Sequence, residues 1–168
     1  MAKGDFLLKK LWRARTIRQK QRGATAVEMA LITPVFFMLL IGITEMAMIE
    51  TAQQLLENAA YNTSRLAKTG FVTSGQTQAQ TVSQVMSQEL QSFGNFINTA
   101  NVTMTETSYN SFAGIGTGGT SGMGNPTQIV VYTISYPWKL MTPMIGNIIG
   151  TNGIVTLTSR IVVRNEPY

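Results

Sequence analysis

Residues 24–43 read ATAVEMALITPVFFMLLIGI, and the fold turns on this stretch. Only Thr25, Glu28 and Thr33 carry polar side chains there. A helix over Ala24–Thr44 has 21 residues. At about 1.5 Å per residue it spans roughly the 30 Å hydrocarbon core of a bilayer. A buried core helix is the competing reading, but such helices are usually shorter and lack a basic run immediately before them.

Immediately before the stretch lies a basic tail. Residues 1–23 hold eight Lys and Arg against Asp5 alone, a balance of +7. Residues 24–168 hold five cations against seven acids, a balance of −2. The overall +5 therefore belongs to a tail on a nearly neutral chain. A basic tail can bind nucleic acid. Beside a spanning helix, however, Lys and Arg stay cytoplasmic, which places the amino terminus inside and the chain after about residue 45 outside. The natural partner of these charges is then the anionic lipid surface, not nucleic acid. This layout predicts a basic cytoplasmic leader over 1–23, a transmembrane helix over 24–44 and an exported remainder, in a single-pass protein of a bacterial inner membrane. A cleavable secretory signal has the same charged-then-apolar pattern. Against it, the apolar stretch is long, and Met46-Ala47-Met48 is a poor cleavage site.

Glu28 is the residue out of place. An acid at mid-membrane costs on the order of 2–3 kcal/mol, less near the edge, and such residues are functional candidates with a partner to be named. The bland reading has Glu28 reaching out to water at the headgroups. The sharper one comes from its neighbours. Arg22-Gly23 closes the leader, and Glu28 is the fifth residue after it, the layout of a class of prepilin signals. Cleavage between Gly23 and Ala24 makes a new ammonium at Ala24, which can pair with Glu28 of a neighbouring subunit and relieve the burial cost of both charges. Gly suits the scissile position because it offers a peptidase unobstructed backbone.

The run from Gly23 through Ile49 resembles the amino-terminal module of TadE-like proteins of tight-adherence (Flp-type) pilus systems. Gly23, Ala24, Glu28, Pro34 and the apolar run through Ile43 carry the likeness. Tyr136-Pro137-Trp138 and the end Arg164-Asn165-Glu166-Pro167-Tyr168 also look like such proteins. The specific part covers about 45 residues. The resemblance implies a minor pseudopilin, processed by a membrane aspartyl prepilin peptidase and working with other pilins, pseudopilins and the assembly platform. One position departs from the pattern: Met29 stands where Flp-type pilins and processed pseudopilins tend to have Tyr. An uncleaved, permanently anchored envelope scaffold therefore stays open, as does a soluble exported binding domain freed by ordinary signal peptidase.

Beyond the membrane the helix is expected to continue over 45–69. Ile49, Ala52, Leu56, Ala59, Thr63 and Leu66 recur at three- and four-residue spacing. Arg65, Lys68 and then Gly70 read as a helix end, and Pro34 is a candidate kink. This stripe packs either on the protein's own domain or on neighbouring subunits. Residues 76–98 predict a second helix, with Val82, Val85, Met86, Leu90 and Phe93 on one side. The period then changes to two. Val102–Thr105, Ile129–Tyr136 and Ile154–Val163 read as strands, and 109–127 as a loop dense in Gly, Ser, Thr and Asn. The segment 137–153 is apolar but broken, either a core-filling connection with a short helix or an exposed docking surface. The fold class is α+β: a long amino-terminal helix, a second helix and a small antiparallel sheet in an exported domain over 70–168.

The chain has 168 residues and neither Cys nor His, which removes disulfides, thiolate nucleophiles, imidazole bases and most zinc chemistry. Gly114-Ile-Gly-Thr-Gly-Gly119 spells G-x-G-x-x-G but opens no βαβ unit and runs into Asn125-Pro126, so it reads as a loop. The sequons at Asn62 and Asn101 are short enough to arise by chance. Glu89, Glu106 and Glu166 make no convincing hydrolytic pair, and a Ser–Lys pair from Lys68 or Lys139 has nothing in the sequence to support it. The reading is of a non-enzymatic protein with no cofactor and no small-molecule substrate. A reporter active only in the cytoplasm, fused after Tyr168, should be silent; activity there would reverse the topology.

Overall fold

The structure is a computed structural model that describes residues 3–142, 146 and 150–167, with side chains described from Gly23 onward. The charged side chains of the leader, most of the apolar connection after Thr142, and Tyr168 lie outside the described residues. The chain divides into two units, Met1–Thr44 and Glu45–Tyr168.

The first helix, α1, is assigned over Lys3–Ala67. Pro34 lies inside it, and helix continues on both sides. Pro has no N–H to give to the carbonyl four residues earlier, so that bond is missing there. From residue 24 to 44 nearly every side chain is exposed. From Glu45 on, the pattern becomes one-sided. Ala52, Leu56, Ala59, Ala60, Thr63 and Ala67 are buried, while Glu50, Gln54, Glu57, Asn58, Tyr61 and Arg65 are exposed. The stripe packs on the protein's own domain. Its residues are mostly Ala, which lets the helix backbone approach its neighbours closely. The buried line ends on Ala67, and Leu66 is only half-buried. The helix stops where Thr69 and Gly70 donate to Leu66 and Ala67 carbonyls, Gly70 having φ 69°.

The second helix, α2 (Gln78–Ser92), is shorter than the 76–98 its periodicity suggests. Its start is set by a capping box: Thr77 accepts from the Gln80 N–H, and the Gln80 side chain accepts from the Thr77 N–H. Its end is set by Gly94, at φ 79°, so Phe93 falls past the last turn and is exposed. Val82, Met86 and Leu90 are buried, and Val85 is half-buried. Asn62 donates to the Glu89 carboxylate at 3.1 Å, joining α2 to α1.

The sheet has four antiparallel strands: β1 (Thr103–Tyr109), β2 (Thr120–Ser121), β3 (Ile129–Lys139) and β4 (Ile154–Arg164), in the order β2-β1-β3-β4. β3 is central and pairs with β4 along its whole length, from Ile129↔Arg164 to Lys139↔Ile154. It runs three residues past the expected Tyr136. Pro137 is tolerated because the β1 ladder has ended at Ser135. Alternate residues Val130, Tyr132, Ile134, Tyr136 and Trp138 enter one core with Leu157 and the buried faces of α1 and α2. Each fully buried large aliphatic side chain contributes about 1.5–3 kcal/mol. β4 is an edge strand, and Gln53 of α1 donates to its Thr158 carbonyl at 3.2 Å, which covers part of that edge.

The glycine-rich stretch is more ordered than a plain loop. It holds a 3-10 turn (Phe112–Gly114) and β2, which pairs with β1 at Thr107 and Ser108. A Cβ on Gly119 would collide with the side chains of Thr107 and Tyr109, so glycine there serves close packing on β1.

β1 also carries Glu106, whose partial burial pushes its carboxyl above the ordinary carboxylate range, offset in part by a backbone hydrogen bond. A raised folded-state pKa in an acid means the folded chain binds its proton more tightly than the unfolded chain. Stability from this group is therefore lost as pH rises from the ordinary value through the raised one. Glu106→Gln should raise the thermal midpoint at neutral pH and lose that advantage in acid; circular dichroism across a pH series reads the difference.

Candidate functional site

Gly23, Ala24, Glu28 and Pro34 all lie on α1 and are exposed. Gly23 and Ala24 are both helical, so the bond between them sits within a helix. A peptidase that takes an extended substrate has to unwind it there. Glycine in a helix interior costs about 1 kcal/mol relative to Ala. Nothing in the fold demands glycine at this position, because a Cβ added to Gly23 meets no atom within 4 Å. The residue lowers the cost of local unwinding without serving any packing.

Glu28 lies one turn beyond Ala24 on the same helix face, about 6 Å along the axis. Among the described residues its side chain has no hydrogen bond and no ion pair. Residues 24, 25, 31 and 32, its neighbours at three and four positions, include no cation. Around it the helix is bare. Leu31 is 70% exposed, and Val27, Ile32, Val35, Phe36, Phe37 and Ile43 all exceed half. The mean hydropathy of its most apolar 18-residue window is 2.2, with none of that window buried. An apolar surface this continuous is stable only when a bilayer or other apolar helices cover it. The helix is therefore a candidate membrane anchor near the amino terminus.

A residue that periodicity did not single out stands just after this run. Glu45 is 1% exposed. Its carboxylate accepts the Met141 N–H at 2.9 Å, the Thr142 N–H at 3.1 Å and the Thr142 Oγ1 hydroxyl at 3.1 Å. Three donors replace the water that burial removed, and two of them are consecutive backbone amides, an arrangement suited to an anion. The bond joins the beginning of the Glu45–Tyr168 unit to the chain leaving β3. Its one sequence signal is an acid directly abutting an apolar run; its partners are 96 and 97 positions away.

The carboxyl end forms a second tie. Asn165 is buried, and its side-chain amide donates to the Met123 carbonyl at 2.9 Å and the Asn125 carbonyl at 3.1 Å. The Glu166 N–H donates to the Lys68 carbonyl at 2.8 Å, and the two side chains pair at 3.2 Å. Arg164 Nε donates to the Thr127 carbonyl at 3.2 Å. Arg164 and Asn165, part of the resemblance noted in the sequence, thus tie the end of β4 to the segment before β3, and Glu166 ties it to Lys68, just past the end of α1.

Residues 23–65 match the family model described as TadE-like protein. The match begins at Gly23 and stays within α1. No curated protein and no solved structure matches the chain.

The Glu45 tie predicts a stability cost. Glu45→Gln keeps the shape but turns a charged acceptor into an amide facing three donors, and hydrogen bonds to charged groups are worth about 1.5–3 kcal/mol. The thermal midpoint of the detergent-solubilised chain should fall, and Thr142→Ala, which removes the hydroxyl alone, should lower it less. An unchanged midpoint for Glu45→Gln would mean the carboxylate is not the tie it resembles.

Proposed function

We propose that this chain, which carries a TadE-like segment at residues 23–65, is a minor pseudopilin in the assembly of a tight-adherence (Flp-type) pilus. One observation carries the reading: within that segment the apolar run 24–44 stands uncovered and bears a single acid, Glu28, whose side chain has no partner among the described residues. A helix that only anchors gains nothing from a carboxylate in its apolar run, whereas a helix that lies beside others of its kind gains a place to pair an amino-terminal ammonium. The role is structural: the helix inserts among pilin helices, and the α+β unit outside the membrane presents the surface that other components meet. Its partners are other pilins and pseudopilins, the assembly platform, the bilayer and, as an enzyme acting on this chain, the prepilin peptidase at Gly23–Ala24.

Two features favour a second reading, an uncleaved anchored scaffold. They are Met29, at the position after Glu28, and the helical run that includes the Gly23–Ala24 bond. If cleavage does occur, the new ammonium of Ala24 stands one turn from Glu28 of its own chain, so pairing within a subunit competes with pairing between subunits.

Gly23→Leu should leave the full-length precursor in the membrane. Because position 23 has open space, a failure to process it reports on the peptidase and not on folding. Glu28→Gln and Glu28→Leu should insert and lose their leader normally while recovering less of the partner pilins in a pull-down, with Glu28→Asp intermediate. A wild-type chain that keeps residues 1–23 by intact mass would decide for the scaffold. Normal partner recovery with Glu28→Leu would remove Glu28 from assembly altogether.

A further inference from the structure

Phe96, Tyr136, Trp138, Lys139 and Met141 line, with Met48, a groove of about 310 Å³ in the Glu45–Tyr168 unit. Met141 is 72% exposed and Phe96 is 37% exposed. The Phe96 and Trp138 rings lie 5.2 Å apart. Trp138 is 8% exposed, and its Nε1 is buried without an acceptor among the described residues.

From this geometry we infer that the groove is seated on the lipid surface, with Met141 and the exposed part of Phe96 in the headgroup layer and Lys139 on lipid phosphate. The inference rests on reading residues 24–44 as the membrane span. Three observations point to lipid as the occupant. The first is continuity along the chain. Met48 follows the apolar run by four residues, and Met141 and Thr142 are hydrogen-bonded to Glu45, the residue directly after that run. Whatever angle the unit adopts, the groove is tied to the chain where it leaves the membrane. The second is chemical type. Met141 and Phe96 leave apolar surface open at the mouth of the groove, above the buried Tyr136 and Trp138 rings, and such a patch is stabilised when a headgroup layer covers it. The third is charge. Among the described residues lining the groove Lys139 is the one cation and none is an acid, which suits an anionic headgroup.

The absence of Cys makes the test direct, because one introduced Cys carries the only label. Met141→Cys, labelled with an environment-sensitive fluorophore, leaves the Glu45 bond in place, since Met141 makes it through its backbone. The full chain is reconstituted in phosphatidylcholine vesicles containing phosphatidylglycerol and nitroxide-bearing lipids of known depth. Controls carry the label at Phe36→Cys, in the span, and at Phe112→Cys, 65% exposed on the turn after β1. The label at position 141 should be quenched severalfold more than at 112, most strongly by a headgroup-depth nitroxide, and position 36 most strongly by a deep one. Lys139→Glu should weaken quenching at 141 only when phosphatidylglycerol is present. If 36 is quenched and 141 behaves like 112, the seat is wrong while the span stands. If 36 is not quenched either, the span reading fails and the seat fails with it. If 141 becomes shielded only when partner pilins are added, the groove belongs to a protein and the lipid assignment is overturned.

Discussion

A carboxylate buried without a cation holds the folded unit to its own beginning. Glu45 gives up its water to three donors on Met141 and Thr142, so the first residue past the apolar run and the chain leaving β3 occupy one site. A charge with no counter-ion in a water-poor site is tolerable only when its donors are already in place. Consecutive backbone amides satisfy that condition cheaply, because β3 holds the chain just before them. From that point the helix stripe, the sheet and the crossing Gln53 bond follow with little freedom. Shifting α1 by one residue would withdraw Glu45 from its donors and turn Ala52, Leu56 and Ala59 away from the core.

The change along α1 from all-round apolar to one-sided separates two environments within one helix. From Gly23 to Thr44 the side chains are bare in nearly every direction, which fits a surrounding with no polar side. After it, the buried apolar residues gather on a face that meets α2 and the sheet, while acids and amides, with Met46 and Tyr61, take the exposed sides. The helix thus separates residues that the described chain leaves uncovered from residues that build the core, with Glu28 in the first stretch and Glu45 in the second.

Much of this was legible in the residues. The stripe Ala52, Leu56, Ala59 and Thr63 repeats at helical spacing, and the alternation of Ile129–Tyr136 and Ile154–Val163 marks strands, because both patterns arise from burial on one side. The misplaced edges have local causes. Thr77 and Gln80 cap α2 two residues later than its periodicity suggests, and Gly94 ends it early. β2 is two residues long and has no period to read. Gln53, Glu45 and Asn165 were not legible, because each meets backbone groups dozens of residues away and backbone carries no sequence signature. The TadE-like likeness was legible from a few positions in α1, and the family match covers that helix alone.

The tie between Lys68 and Glu166 makes completion of the unit a matter of timing. α1 is synthesised first, yet β4 and the closing Asn165–Glu166 segment arrive 98 residues after Lys68. At about 5–20 residues per second, the ribosome leaves the Ala-rich face of α1 without its sheet for roughly 5–20 seconds. Contacts this distant in sequence also form slowly once the chain is free. During that interval the face that will meet α2 and the sheet is still open. The young chain thus carries, for a time, an apolar patch that the finished fold hides, open to any apolar segment it meets first.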